Sequence, residues 1–160
     1  MKNKKLLITG FLILVAVVVA ACSRETAVDE INKTSDGKAL SGYDPVAYFV
    51  VQDAVEGDPR FEFAWNGAKW LFSSQENLDK FRANPEAYAP QFGGYCAYAV
   101  SEGHTANGDP QAWKVVDGKL YLNYNKDVKK KWEESQAERI QKANVNWQEF
   151  KTDGTVTKTK

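Results

Sequence analysis

Residues 61–72 read Phe-Glu-Phe-Ala-Trp-Asn-Gly-Ala-Lys-Trp-Leu-Phe, and this stretch predicts a β-hairpin. From Phe61 to Trp65, aromatic residues alternate with polar or small ones, as in a strand that buries one face. Asn66-Gly67 suits the two positive φ angles of a tight type I′ turn. Trp70 and Phe72 then return on one face, so the sequence predicts two antiparallel strands.

The residues after this hairpin predict a short helix. Ser73 and Glu76 have the spacing of a capping box, in which each side chain satisfies a backbone N–H group at the helix start. Leu78 and Phe81 follow at helical spacing. Asn84-Pro85 ends the pattern because proline cannot continue a helix.

The C-terminal half predicts a second hairpin and a long helix. Asp117-Gly118 separates two apolar runs within residues 113–122 and suits the same type of turn. Asn125 can cap a helix whose apolar residues recur at intervals built from threes and fours: Val128, Trp132, Ile140, Ala143, Trp147 and Phe150. Two β-hairpins, a short helix and a long C-terminal helix indicate a small single α+β domain, with no internal repeat beyond this alternation.

The start of the chain is typical of a lipoprotein export signal. Three lysines within residues 1–5 precede an apolar run from Leu6 to Val18, and two alanines stand directly before Cys22. Small residues followed by a cysteine suit a lipoprotein peptidase, and several acyl chains on the thiol form a durable anchor. The alternative is an uncleaved transmembrane helix, since the apolar stretch reaches the roughly 17 residues that span a bilayer.

The export hypothesis sets the expected domain organisation and location. The predicted segments are a signal peptide at residues 1–21, a lipid-anchored tether at 22–35, a folded domain at 36–150 and a flexible tail at 151–160. Ser23 stands where an aspartate would resemble an inner-membrane retention signal. The expected location is therefore the periplasmic face of the outer membrane, in a Gram-negative host.

The charge balance gives no electrostatic reason to expect nucleic-acid binding. The full chain carries 21 Lys and Arg against 21 Asp and Glu, and the predicted signal peptide contains three of the lysines. The mature surface is therefore slightly acidic, unlike the basic surfaces that bind phosphate backbones. The cluster Lys129-Lys130-Lys131 is expected to form a solvated helix face.

Several motifs carry a resemblance to a known family. They are Gly42-Tyr43-Asp44-Pro45-Val46-Ala47-Tyr48-Phe49, Trp70-Leu71-Phe72-Ser73, Phe81, Pro85, Tyr88, Gly93-Gly94-Tyr95-Cys96 and Gly118-Lys119-Leu120-Tyr121-Leu122-Asn123-Tyr124. In these motifs the chain resembles the YHS-domain family over roughly residues 40–147, and in particular its exported bacterial branch.

The resemblance implies a small cysteine-bearing module of the kind attached to heavy-metal transporters. In such modules one cysteine follows Asp-Pro-Val, and others lie around the Phe-Ser turn that opens the helix. Here Ala47 holds the first position, and the others fall on or near Ser73 and Ser74. Neither alanine nor a serine hydroxyl replaces a thiolate on a soft metal, so the implied metal function does not transfer residue by residue.

Cys96 and His104 are the one thiol beyond Cys22 and the one imidazole of the chain. Because Cys22 is assigned to lipid, Cys96 has no partner for an internal disulfide. The pair is a candidate copper or zinc site, although it falls short of a four-ligand structural site. Nearby oxygen ligands in sequence are Tyr95, Glu102 and Asp109. The alternative is a buried thiol in a strand-like run of residues 95–100 and a solvated imidazole.

Gly93 and Gly94, with Tyr95, form a candidate surface for a ligand or partner. Glycines allow close approach of another group and expose N–H groups that bind anions. The alternative is a tight turn between the segment of Pro90 and the next strand.

These features favour a binding or interaction module of the cell envelope, held to the membrane by its N-terminal lipid and contacting an envelope protein partner. The first alternative is a metal-handling protein that uses Cys96 and His104 with copper or zinc. The second is an enzyme of unrecognised type. The sequence leans away from catalysis because no serine is obviously paired with the single histidine and no phosphate-binding glycine loop occurs.

Overall fold

The computed structural model describes residues 28–153. The predicted signal peptide, Cys22 and the first part of the predicted tether lie outside these residues, as does the tail from residue 154. Within the described range, no helix is both long enough and apolar enough to cross a bilayer.

The described chain contains six α-helices, four strands and two 3₁₀ turns. The elements are a first turn (Leu40–Gly42), α1 (Ala47–Val50), β1 (Asp58–Trp65), β2 (Ala68–Phe72), α2 (Gln75–Ala83), α3 (Pro85–Tyr88), a second turn (Gln91–Gly94), α4 (Ala97–Ser101), β3 (Asp109–Val116), β4 (Lys119–Asn123), α5 (Lys126–Glu133) and α6 (Gln136–Asp153). β1 pairs with β2 and β3 pairs with β4, both antiparallel. The predicted α+β class is confirmed.

Both predicted hairpins are confirmed, and their turn dipeptides set the register. Asn66 and Gly67 have φ angles of 47° and 69°, so Trp65 lies opposite Ala68. Asp117 and Gly118 have φ angles of 49° and 71° in the second hairpin. These are the left-handed angles that a type I′ turn requires.

The second half of the chain repeats the element order of the first. Each half runs from a 3₁₀ turn through a short helix and a hairpin to two further helices. The strands have matching lengths of 8 and 5 residues in both halves. The prediction of no internal repeat beyond the alternation of hairpins and helices is therefore wrong. Short identical stretches mark the repeat in the sequence: Gly42-Tyr43 matches Gly94-Tyr95, and Gly57-Asp58-Pro59 matches Gly108-Asp109-Pro110.

Backbone geometry aligns the two halves residue by residue. The first turn has three successive positive φ angles of 50°, 52° and 89°, and the second turn has 55°, 60° and 83°. After the first turn, the Asp44 N–H donates to the Val55 carbonyl at 2.8 Å. After the second, the Cys96 N–H donates to the Ala106 carbonyl at 2.9 Å. Asp44 and Cys96 therefore hold corresponding positions.

Each half buries its own aromatic cluster. In the first, the ring of Phe81 lies 5.0 Å from that of Trp70 and 5.2 Å from that of Phe72, between centroids. In the second, Trp132 lies 5.4 Å from Tyr121. Phe81 and Trp132 occupy corresponding places on α2 and α5, so equivalent helices close both cores. Burial of these large rings stabilises the fold.

The short helix α2 begins one residue later than predicted. Ser74, and not Ser73, is the N-cap: its hydroxyl accepts the Asn77 N–H at 3.2 Å. The Ser73 hydroxyl instead donates to Oδ2 of Asp44 at 2.7 Å. The Ser73 hydroxyl, which the local sequence pattern predicts as a helix cap, thus binds the buried carboxylate of Asp44, a residue distant in sequence.

The predicted long C-terminal helix is two helices. Asn125 caps α5 as predicted, since its side-chain oxygen accepts the Val128 N–H at 2.8 Å. The chain then breaks at Glu134-Ser135, between Glu133 and Gln136. The apolar stripe is interrupted at this point, so α5 closes the second hairpin while α6 packs along α4.

The strand-like run predicted at residues 95–100 is a helix, α4. Nearly every side chain in this run is apolar or aromatic, and such a run fits a buried strand or a buried helix equally well. Cys96 is the N-cap of α4, outside the helix proper.

The ends of the domain extend beyond residues 36–150. Ile31 is buried, and the Asn32 N–H donates to the Gly93 carbonyl at 2.8 Å. Contact with the domain therefore begins within the predicted tether. At the other end, α6 continues to Asp153, into the predicted tail.

Candidate functional site

A cavity of about 510 Å³ lies beside α4 in the second half of the molecule. Its lining comes from the chain ahead of the first turn, from both sides of α4 and from the start of α5. The lining residues are Asp29, Asn32, Lys33, Tyr95, Cys96, Tyr98, Ala99, His104, Thr105, Ala106, Asn107, Tyr124 and Val128. Its volume lies within the range typical of small-molecule sites.

Cys96 lies at the inner wall of this cavity and is only 1% exposed. The Ala99 N–H donates to its Sγ at 3.5 Å, and Sγ lies 3.9 Å from Oδ1 of Asn123. Burial raises the pKa of the Cys96 thiol above its usual value, which backbone hydrogen bonds only partly oppose. The thiol is therefore protonated at neutral pH, and the predicted alternative of a buried Cys96 is confirmed.

His104 lines the same cavity from the loop after α4. Its backbone N–H donates to the Ala99 carbonyl at 3.2 Å, which fixes the loop over the helix. The structure thus brings the two predicted metal ligands to one cavity. Among residues 28–153, however, no group of three or more His, Cys, Asp and Glu side chains is arranged to hold a metal ion. The predicted pair falls short of a closed zinc site.

Three tyrosines give the cavity an aromatic lining. Burial and nearby Asp29 raise the pKa of Tyr95 to about 12, so its phenol is neutral. Tyr98 is held by the guanidinium of Arg139, which lies 3.9 Å above its ring. Tyr124 is 57% exposed and stands at the rim. The charged side chains of the lining, Asp29 and Lys33, pair with each other at 3.9 Å.

Thr105 and Asn123 are functional candidates that the sequence did not indicate. Thr105 lines the cavity and is 2% exposed, yet its hydroxyl has no hydrogen-bond partner among the described residues. The side-chain nitrogen of Asn123, directly behind Cys96, also has none within that range. Buried polar groups are nearly always paired, so these two atoms are exceptions within the described range.

The predicted surface at Gly93 and Gly94 is a turn that the chain itself covers. A Cβ atom at Gly93 would collide with the Glu30 carbonyl oxygen and lie 3.2 Å from Cα of Ile31. The Asn32 side chain also donates to the Gly94 carbonyl at 3.3 Å. Within this surface, Tyr95 is the residue that lines the cavity.

In the first half, a buried carboxylate, Asp44, holds the position that corresponds to Cys96. Oδ1 of Asp44 accepts the N–H groups of Val46 at 2.8 Å and Ala47 at 3.3 Å. Its Oδ2 accepts from the Ser73 N–H at 2.8 Å, the Ser73 hydroxyl at 2.7 Å and the Asn77 amide at 2.7 Å. This network ties the start of α1 to the end of β2 and to α2.

The side chains that form the Asp44 network have different counterparts in the second half. Cys96 holds the position that corresponds to Asp44. Its Sγ accepts the Ala99 N–H, just as Oδ1 of Asp44 accepts the N–H of the corresponding Ala47. Tyr124, exposed at the rim, and Val128 hold the positions that correspond to Ser73 and Asn77 and rebuild no polar network.

A second, larger groove of about 870 Å³ lies between α1, β3 and α5. Lys114 and Lys129 in this groove both pair with Oε1 of Glu133 at 2.9 Å. The buried Tyr48 hydroxyl donates to the Pro110 carbonyl at 3.1 Å. Lys114, Lys129, Glu133 and Tyr48 are thus paired within the groove or with the backbone beside it.

Comparison with known proteins identifies a protein family for part of the first half of the chain. Its α1, hairpin, α2 and α3 all lie within the range that matches one protein family. Residues 46–92 are a YHS domain. No match is found among curated proteins or among solved structures. Every residue that lines the cavity lies outside the YHS domain, in the second repeat or ahead of the first.

Within the YHS domain, the positions associated with cysteine have structural roles in this chain. Ala47 is buried and donates its N–H to Asp44. Ser73 bonds the same carboxylate, and Ser74 caps α2. These residues support the fold of the first repeat and present no soft metal ligand.

Proposed function

We propose that this protein is an exported, lipid-anchored member of the YHS group that acts as a binding module for a small organic ligand. The observation that carries the proposal is the cavity beside Cys96, whose lining includes three tyrosines and the polar side chains of Asn32 and His104. Sites that combine an aromatic lining with a few polar groups are typical of small-molecule binding.

A binding role is favoured over catalysis by the state of Cys96. The thiolate is the nucleophilic form of cysteine, and burial raises the pKa of this thiol. Helix α4 holds its sulfur in place through the Ala99 N–H. The side chain therefore serves as a packed wall of the cavity.

Two observations support the proposed lipid anchor. Residues 1–22 have the pattern of a lipoprotein export signal, and the chain resembles the exported bacterial branch of the YHS-domain family. Lipid at Cys22 would hold the domain at the periplasmic face of the outer membrane, where an envelope protein partner is accessible. The order of the chain agrees with this arrangement, since the domain begins a few residues after Cys22.

We expect Cys22→Ala to abolish acylation and to leave a precursor that retains residues 1–21. The change removes the thiol that receives the diacylglycerol. Mass spectrometry of the intact purified chain measures both effects, and Cys96→Ala is the matched control that keeps its lipid. A wild-type chain without lipid at Cys22 would leave the uncleaved transmembrane helix as the explanation.

Metal binding is the second candidate function, because Cys96 and His104 line the same cavity. A copper or zinc ion held there would have two protein ligands, with other positions open to solvent or an added ligand. Binding would require the thiol to lose its proton, so the raised pKa of Cys96 opposes it at neutral pH.

One set of titrations separates the two candidates. Phenol is a suitable organic probe because its ring can stack on Tyr124 at the rim. We expect Tyr124→Ala to weaken phenol binding about fivefold, the effect of losing one aromatic contact. Zinc and copper(II) are titrated in parallel by calorimetry. Stoichiometric metal binding that is lost in Cys96→Ala and in His104→Ala would support the metal site.

The matched control for the organic probe is Val145→Ala, which shortens an exposed apolar side chain on α6, outside the cavity lining. It should leave phenol binding unchanged. If phenol causes no change in the NMR signals of cavity residues, the organic-ligand proposal is wrong. Metal binding that persists in both Cys96→Ala and His104→Ala would rule out the metal site proposed as the second candidate.

A further inference from the structure

The groove between α1, β3 and α5 follows an open strand edge. Strand β3 pairs with β4 alone, and within residues 28–153 no isolated bridge joins β3 to another segment. The other strand of the hairpin is covered, since Leu122 of β4 bridges to Cys96. The groove shares no lining residue with the cavity beside Cys96, so a role for it goes beyond the proposed binding of a small organic ligand.

The two walls of the groove pack on opposite faces of β3. The ring of Trp113 lies 5.1 Å from that of Tyr48 on α1, between centroids. The ammonium group of Lys114, the next residue, lies 2.9 Å from the Glu133 carboxylate on α5. Successive side chains of a strand point to opposite faces, so α1 and α5 flank the edge of β3. Trp113, Lys114 and Val115 accordingly all line the groove.

The edge of β3 offers backbone groups for a further strand. Val116 lies opposite Lys119 across the two-residue turn, and this closing pair is hydrogen-bonded. Because hydrogen-bonded and non-hydrogen-bonded pairs alternate, the backbone N–H and C=O groups of Trp113 and Val115 point away from β4. Among the described residues, neither backbone forms a hydrogen bond outside the strand pair. Such an edge is a template for strand addition.

The groove carries a net positive charge, although the chain as a whole is neutral. The charged residues of its lining are four lysines and one glutamate, with no aspartate or histidine: Lys114, Lys126, Lys129, Lys130 and Glu133. Two of the lysines share one oxygen of the glutamate at 2.9 Å. Lys130 lies 3.8 Å from the exposed Asp127, and Lys126 forms no ion pair within the described range. An acidic partner would therefore gain counter-charges here, and a basic one would be repelled.

We infer that β3 accepts an extended acidic segment of a partner protein as a third strand. Acidic side chains of this segment face the lysines of α5, and its alternate, apolar side chains contact the half-buried rings of Phe49 and Trp113 on the side of α1. The surface belongs to the second repeat. In α2 the positions that correspond to the three lysines of α5 hold Gln75, Leu78 and Asp79.

The test uses the full chain and a synthetic six-residue peptide of alternating glutamate and valine with blocked ends. One comparison peptide has lysine in place of glutamate, and another is N-methylated throughout, which keeps the charges but prevents pairing as a strand. Fluorescence anisotropy measures affinity, and the backbone amide NMR signals of Trp113 and Val115 locate the contact. We expect the N-methylated peptide to bind at least about tenfold more weakly, because the backbone hydrogen bonds of two residues are lost. The lysine peptide should not bind.

Lys126→Gln combined with Lys130→Gln should weaken binding of the glutamate peptide about fivefold, the effect of two exposed ion pairs. The matched control is Lys131→Gln combined with Lys142→Gln, which removes the same charge from exposed positions outside the groove lining. That control should bind like wild type.

Each other outcome contradicts a defined part of the inference. Equal affinity for the glutamate peptide and its N-methylated copy would overturn strand addition. Equal effects of the two double variants would overturn the role of the α5 lysines. If the peptide shifts neither amide signal while phosphatidylglycerol vesicles bind through Lys126 and Lys130, the occupant is a membrane surface and the inference is wrong. If neither probe binds, it also fails, whereas the phenol titration decides the proposed function independently.

Discussion

Asp44→Ala is expected to lower the free energy of unfolding by about 3 to 5 kcal/mol, the usual cost of breaking a buried charged network. Asp44 is fully buried and accepts five hydrogen bonds, two on one oxygen and three on the other. Without the carboxylate, the N–H groups of Val46 and Ala47 and the polar groups of Ser73 and Asn77 lose their acceptor. Val46, Ala47 and Asn77 are buried, so their donors cannot reach water, whereas Ser73 is exposed.

Urea unfolding followed by tryptophan fluorescence measures this loss, since the chain contains five tryptophans. Asp44→Asn keeps the shape of the side chain but points an NH₂ group at donors, so it should also be strongly destabilising. Asp127→Ala is the matched control, because Asp127 is an exposed carboxylate whose partner Lys130 lies 3.8 Å away. That change should stay within about 0.5 kcal/mol of wild type. An Asp44→Ala protein as stable as the control would show that the network does not hold the repeat together.

The parts of the fold that could be predicted from sequence are those set by local chemistry. Asn66-Gly67 and Asp117-Gly118 fix two hairpins because few other dipeptides adopt two left-handed conformations in succession. Asn125 marks a helix start for a similar reason, since its side chain satisfies an N–H group three residues away. Such signals require no knowledge of the rest of the chain.

The parts that could not be predicted depend on contacts between distant residues. The local sequence predicts Ser73 as a helix cap, but its hydroxyl donates to Asp44, which is far away in sequence. The repeat is hard to see in the sequence because its identical stretches are short and most other corresponding positions hold chemically different residues, as Asp44 and Cys96 show. Geometry revealed it, through matching turns and matching hydrogen bonds.

The candidate site was only partly accessible to sequence reasoning. Cys96 and His104 were chosen because they are rare residue types, and both line the cavity. Thr105 is an ordinary residue in a loop, and no local pattern distinguishes it. Its interest comes from its burial, from its unpaired hydroxyl within the described range and from the open space beside it, all of which are tertiary properties.

Gly57→Ala and Gly108→Ala are each expected to lower the free energy of unfolding by about 3 kcal/mol, because both would force a side chain into occupied space. A Cβ atom at Gly57 would lie 2.6 Å from the backbone carbonyl carbon of Leu71 and would also collide with its Cβ. A Cβ atom at Gly108 would lie 2.7 Å from Cβ of Leu122 and would collide with the carbonyl oxygen of Gly94. Neither neighbour can move without separating its hairpin from the preceding turn.

Because Gly57 and Gly108 correspond in the two repeats, their losses of stability should be similar, and this similarity tests the repeat. Gly118→Ala separates collision from backbone strain: Gly118 has a φ of +71° but nothing within 4 Å of the added Cβ. It should cost only about 1 kcal/mol, the penalty for a left-handed alanine. Urea unfolding of all three variants gives the comparison. If Gly57→Ala and Gly108→Ala cost no more than Gly118→Ala, close backbone packing at these positions is not needed, and the two hairpins are held to their turns by the hydrogen bonds alone.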